Sequence, residues 1–143
     1  MSKSRDAFAP RRDAVEYFDF VQRVARRTGL DFDSAEGVAV ATLRTLADRL
    51  SPQEARQLLA QLPGELRGSV PVTRGVNPLD PQAFVCQVAE TEHADRETAR
   101  EHVQAVFTVV RETVSESEMA EVFEALGQEW TDLLGWRAKP HLG

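Results

Sequence analysis

The sequence predicts an all-α fold, a helical bundle built from two tandem, homologous units of three to four helices related by pseudo-twofold packing. Three observations predict it. A complete helix start, Ser51-Pro52-Gln53-Glu54, recurs 64 positions later as Ser115-Glu116-Ser117-Glu118. Behind it Ala55, Leu58, Leu59 and Leu62 are matched at the same offset by Met119, Val122, Phe123 and Leu126. Upstream, Phe20-Val21 and Val24-Ala25 return as Phe84-Val85 and Val88-Ala89, and Asp31 returns as Asp95, with no gap between Phe20–Val70 and Phe84–Leu134. Apolar residues at this spacing give each helix one buried stripe. Units this short gain most by packing their stripes together, as an isologous dimer does.

Residues 1–12 carry Lys3, Arg5, Arg11 and Arg12 and little apolar content, so a flexible tail is expected. The first unit spans residues 13–70. Its first helix, Asp13 to Arg27, has Val15, Phe18, Val21, Val24 and Ala25 on the stripe, widened by Tyr17 and Phe20, and Gly29 ends it. Asp31 or Asp33 caps a second helix that runs to about Leu50, burying Ala35, Val38, Ala39, Thr42, Leu43, Leu46 and Leu50. Gly37 inside it costs about 1 kcal/mol against Ala, a cost ascribed to close helix packing. Ser51 caps the third helix, Pro52 suits its first position and Glu54 completes a capping box. That helix ends at Leu62 before Pro63-Gly64, and Glu65, Leu66 and Val70 suggest a short fourth.

Pro71, Gly75 and Pro78 make residues 71–79 a linker. The second unit, residues 80–134, repeats the plan with Asp80 as cap: Pro81 to about Glu92, Arg96 to Thr113, Glu116 to Leu126, and Gln128 to about Leu134. Phe107, Phe123 and Trp130 replace Leu43, Leu59 and Leu66, giving this half the bulkier core. Gly127-Gln128 stands in place of Pro63-Gly64, which leaves the conformation of that turn open. In the tail, residues 135–143, Trp136 is expected to fold back onto apolar surface. Residues 13–134 together read as one compact domain.

Composition narrows the function classes. The chain has 143 residues, a hydrophobic share of 42%, 28% charged residues and a net charge of −6. The acidic balance repels phosphate backbones, so nucleic acid is not the expected partner. Cys86 is the only cysteine, which excludes an internal disulfide and a cysteine metal cage and suits a reducing cytoplasm. No apolar run approaches a membrane span and no signal peptide is evident, so the expected location is cytoplasmic.

The scan for chemistry finds no phosphate-binding glycine loop, nucleophile elbow or His-Glu-x-x-His. Glu90-Thr91-Glu92-His93 has a di-iron spacing, but the aligned Arg26-Arg27-Thr28-Gly29 supplies no second copy. Cys86 aligns with Gln22 on a helix flank, where a semi-buried structural thiol is expected. His102 takes the place of Val38 on an apolar stripe and is the one possible ligand-binding or pH-sensitive position. On the structural reading it sits at the core margin with one ring nitrogen hydrogen-bonded, and His102→Val is tolerated. Leu50-Ser-Pro-Gln-Glu resembles the start of sigma-factor and LuxR-type helix-turn-helix modules, but too few basic residues follow to hold a DNA backbone.

Over about Tyr17 to Leu134 the chain resembles the bacterial family known as domain of unknown function 2267. The likeness rests on Phe20-Val-Gln-Arg-Val-Ala-Arg-Arg-Thr-Gly-Leu30, on Ala41-Thr-Leu-Arg-Thr-Leu-Ala-Asp-Arg-Leu50, and on Ala55 through Leu66 with its Gln-Leu-Pro-x-Glu-Leu signature. The resemblance implies an all-helical, cytoplasmic bacterial protein and supplies no activity, cofactor or catalytic residue.

With no convergent polar set, the leading functional expectation is a non-enzymatic protein-interaction or regulatory module, without catalytic residues, metal or cofactor. The alternative is a small-ligand or metal-binding sensor using the groove between the two units. A helix-turn-helix-like DNA binder or an enzyme ranks below both. The partner's identity, and whether the chain is a monomer or a homo-oligomer, are left open.

Overall fold

Side-chain caps set where the helices begin. Asp31, Asp80 and Asp95 each accept, at 2.7 Å, the backbone N–H three residues on, from Ser34, Ala83 and Thr98. Ser51 Oγ accepts from Glu54 at 3.2 Å and Ser115 Oγ from Glu118 at 3.1 Å. Each bond satisfies one of the donors that a helix start leaves unpaired. The backbone N–H bonds hold the Asp31 and Asp95 carboxyls below the ordinary aspartate range.

The computed structural model describes residues 12–72 and 76–135. Within them lie α1 (Arg12–Thr28), α2 (Phe32–Arg49), α3 (Pro52–Ala60), α4 (Gly64–Ser69), α5 (Pro81–Glu92), α6 (Arg96–Thr113), α7 (Glu116–Leu126) and α8 (Thr131–Leu134), with a 3-10 turn at Gln128–Trp130 before α8. No strand occurs among the described residues, so the fold is all-α as predicted. Asp31 rather than Asp33 is the cap of α2. The expectations for Gly75, for Trp136 and for the N-terminal tail before Arg12 lie outside the described residues.

The helices gather around one continuous apolar cluster that runs from Phe20 to Leu134. In it α1 lies against α2 and α6, α5 lies against α6 and α2, α2 touches α6, and α3 touches α7. Trp130, Phe20, Phe84 and Phe107 are its largest fully buried side chains. Phe84 meets Trp130 edge to face at 5.1 Å and Phe107 at 6.3 Å, a favoured aromatic geometry.

One stripe is corrected. On α1 the buried residues are Phe20, Val21, Val24 and Ala25, whereas Val15 and Phe18 are 53% and 54% exposed. The Phe18 ring instead stacks on Phe32 at 5.2 Å, outside the core. Gly127 answers the question of the second turn. Its φ of 103° and ψ of 165° belong to a region open only to glycine, whereas Pro63 has φ −53° and ψ 141°. The chain then enters a 3-10 turn where the first unit forms α4.

The two Ser-capped starts also differ. At α3 the capping box is complete, because Glu54 Oε1 accepts the Ser51 N–H at 2.9 Å. At α7 the Ser115 N–H goes to Gln61 Oε1 at 2.7 Å, and Glu118 is buried at 5% exposure. Ser51→Ala and Ser115→Ala are each expected to cost about 0.5–2 kcal/mol in urea denaturation. No change in either would place the helix start elsewhere.

Glu54 and Glu118, aligned in sequence, should respond in opposite directions. Glu54→Ala leaves the Ser51 N–H unpaired and destabilises. Burial, then the neighbouring Glu121 and Glu54 carboxylates, push the Glu118 carboxyl above the ordinary glutamate range. The folded state therefore holds this proton more tightly than the unfolded chain does. The resulting penalty is absent below the ordinary range and grows as pH rises through it. Glu118→Gln should raise the melting temperature at neutral pH and leave it nearly unchanged at about pH 4. Melts giving an equal effect at both would exclude this cause.

Candidate functional site

A cavity of about 670 Å³ opens between α2 on one side and α5 and α6 on the other, within the size range of small-molecule sites. Helix α2 contributes Gly37, Val38, Arg44 and Asp48 to its wall, α5 contributes Gln87, Thr91 and Glu92, and α6 contributes His102. Leu30 and Ala94, from the turns before α2 and α6, also line it.

The turn between α5 and α6 assembles the buried polar end of this cavity. His93 adopts a left-handed conformation at φ 57°, and the N–H groups of His93 and Ala94 bond back to the carbonyls of Glu90 and Ala89. This Schellman closure ends α5 at Glu92, and Asp95 at once caps α6. Glu92 in the last turn of α5 and His102 in α6 are thereby brought face to face. His102 Nδ1 lies 2.8 Å from Glu92 Oε1, and the two side chains are only 11% and 10% exposed. With the carboxylate ionised, Nδ1–H is the donor. The second carboxylate oxygen, Oε2, is shut off from solvent and has no hydrogen-bond partner among the described residues. A buried polar atom left so costs about 1–3 kcal/mol, and more when charged.

Gly37 is the second unusual feature of the wall. Close helix packing was its expected reason, and the structure overturns that. Gly37 is exposed, and a Cβ built on it meets nothing within 4 Å. No neighbouring helix requires the glycine; what lies beside it is the cavity.

The two threonine hydroxyls at the wall are engaged. Thr45 donates to the Ala41 carbonyl at 2.8 Å and Thr91 to that of Gln87 at 3.0 Å. Arg44, by contrast, is exposed and forms no ion pair among the described residues.

Of the residues singled out by sequence, His102 and Gly37 line the cavity. Cys86 is half-buried elsewhere, with Arg96 Nε donating to its Sγ at 3.3 Å. Glu90 and His93 are exposed at the end of α5. Among the described residues no three of His, Cys, Asp and Glu gather closely enough to hold a metal ion. Glu92 escaped the sequence reading, although a signal existed. At the offset of 64 the pair Glu92 and His102 replaces Thr28 and Val38, so the two polar exchanges answer each other. In the first unit Thr28 Oγ1 simply bonds back to the Val24 carbonyl at 2.8 Å.

The family described as "Uncharacterized conserved protein (DUF2267)" matches residues 17–133, from the middle of α1 into α8. The chain belongs to this family. This DUF2267 chain thus carries its cavity, Glu92 and His102 all inside the matched region. No curated protein matches it. Among its described residues no helix is long and apolar enough to cross a membrane.

Proposed function

We propose that this DUF2267 protein is a non-enzymatic, ligand-binding regulatory module of the cytoplasm whose small-molecule ligand occupies the cavity between α2 and the α5–α6 pair. The observation that carries the reading is Gly37. A glycine in a helix interior costs about 1 kcal/mol against Ala, and here no packing neighbour accounts for it. A bare backbone facing a cavity suits close approach of a ligand. Binding rather than catalysis is favoured because Thr45 and Thr91 give their hydroxyl protons to backbone carbonyls, which leaves neither activated by His102.

The cavity belongs to an architecture that we infer to be a duplication packed about a pseudo-twofold axis. Support comes from the reciprocal contacts, α1 with α6 and α5 with α2, and from the aligned pairs Leu30/Ala94 and Val38/His102, which line the same cavity. DNA binding is disfavoured by Arg67, the basic side chain of α4, which turns back to the carbonyls of Leu59, Ala60 and Leu62. A second reading, docking of a protein partner, is favoured by the exposed Val15 and Phe18 on α1.

The test is native mass spectrometry of the full-length protein beside Gly37→Phe. The bulky side chain should fill the cavity without unfolding the helix, because nothing stands within 4 Å of its Cβ. A small molecule released from the native protein and missing from the folded variant is the expected result. No bound molecule, with no thermal shift from a metabolite library, would overturn the reading.

A further inference from the structure

We propose that the ligand is a small zwitterion with an apolar body, of the amino-acid or dipeptide kind, its ammonium group on Glu92 and its carboxylate on Arg44. This rests on the ligand-binding reading above and adds the chemistry that the cavity selects.

Three features of the wall define that chemistry. The first is the Glu92 carboxylate, nine-tenths buried, with Oε1 held by His102 and Oε2 without a partner among the described residues. An unpaired carboxylate oxygen in a poorly solvated site accepts an N–H, and most strongly a charged one. In this conformation Oε2 is covered. Ligand binding then requires that the carboxylate turn about its final torsion, which is soft in glutamate, to expose this oxygen. The second feature is Arg44 on α2. Its guanidinium is exposed, lines the same cavity and lacks an ion-pair partner among the described residues. Such a group takes a carboxylate by two parallel N–H bonds. The third is the apolar surface that Leu30, Val38, Val40 and Ala94 give the same cavity.

An anion alone would leave Glu92 Oε2 unsatisfied and place a negative charge near it. An amine alone would satisfy Glu92 and leave Arg44 unpaired. A zwitterion answers both at once, and its apolar side chain covers the remaining wall. The cavity, about 670 Å³, has room for a ligand larger than a single small amino acid. A dipeptide is therefore included in the class.

The experiment is calorimetric titration of the full-length protein with four probes: leucine, leucyl-leucine, isoamylamine and isocaproate. The last two are leucine without its carboxylate and leucine without its ammonium group. At least one zwitterion should bind, and each single-charge analogue should bind about tenfold or more weakly, the loss of one charge-assisted hydrogen bond. Arg44→Gln, a substitution at an exposed position, should weaken the zwitterion to the level of isoamylamine and leave isoamylamine unchanged. Glu92→Gln keeps an acceptor for His102 and should remove the preference for leucine over isocaproate. Thermal melts of both variants establish that they are folded. If isocaproate binds as tightly as the zwitterions, the ligand is an anion and this proposal fails, while the cavity remains a ligand site. If none of the four binds, the zwitterion assignment fails, and a molecule released in native mass spectrometry but lost in Gly37→Phe would still uphold the ligand-binding reading.

Discussion

Trp130→Ala is expected to cost about 3–5 kcal/mol, the range for removing a large aromatic side chain from a packed core. Against a typical domain stability of about 5–15 kcal/mol, this is one of the largest losses available to a single substitution here. Trp130 is fully buried, meets Phe84 edge to face, and lies under the Arg49 guanidinium at 5.8 Å from its ring centre. Arg49 in turn donates to the Leu79 carbonyl before α5 at 3.0 Å and to the Leu126 carbonyl at the end of α7 at 3.1 Å. Truncating the ring therefore opens a cavity and loosens the arginine that ties α2 to two other segments. Trp130→Phe should be much milder. It keeps most of the ring volume and removes an indole N–H that has no partner among the described residues, whose burial is itself unfavourable. Urea denaturation followed by circular dichroism gives both values. A loss below about 1 kcal/mol for the alanine variant would mean that the site collapses around the missing ring.

The parts of this fold that were legible in sequence are those decided by neighbours in the chain. Ser51, Asp80 and Ser115 cap where they were read, because a cap bond spans only three residues, and of the two candidates Asp31 and Asp33 it is Asp31 that caps, as its counterpart Asp95 does. The buried face of α2, from Ala35 to Leu50, followed directly from helical spacing. What escaped depends on pairs distant in sequence. Periodicity defines a stripe but not which edge of it meets the core, so Phe18 was placed inside although it stacks on Phe32 outside. Gly37 reads identically whether a helix or a cavity stands beside it, and only the three-dimensional surroundings separate the two. Arg49 looks like an ordinary charge in a last helical turn. Its bonds to Leu79 and Leu126 appear only once α2, the linker and α7 have converged.

His102→Val, which the sequence alone marks as tolerated, is now expected to be strongly destabilising, by about 3–5 kcal/mol. The reason is Glu92. Its carboxylate is nine-tenths buried, and among the described residues one oxygen lacks a partner while the other is held by His102. Valine supplies no donor, so a buried charge would be left uncompensated, and breaking a buried pair from one side costs this much. Replacing both members removes the charge along with its partner and should be far less harmful. The protein itself suggests which double variant to make. At the same positions the first unit has Thr28 and Val38, with the threonine hydroxyl bonded back to the Val24 carbonyl. Glu92→Thr with His102→Val writes that pair into the second unit, where the new hydroxyl can reach the Val88 carbonyl one helical turn back. The double variant should therefore recover most of the stability lost in His102→Val, and a double-mutant cycle should give a large favourable coupling between Glu92 and His102. Urea midpoints of the four proteins measure it. If the two losses simply add, the 2.8 Å contact contributes nothing to stability and the pair has no special place in the fold. If the double variant recovers while losing the ligand, the buried charge at Glu92 serves binding rather than stability.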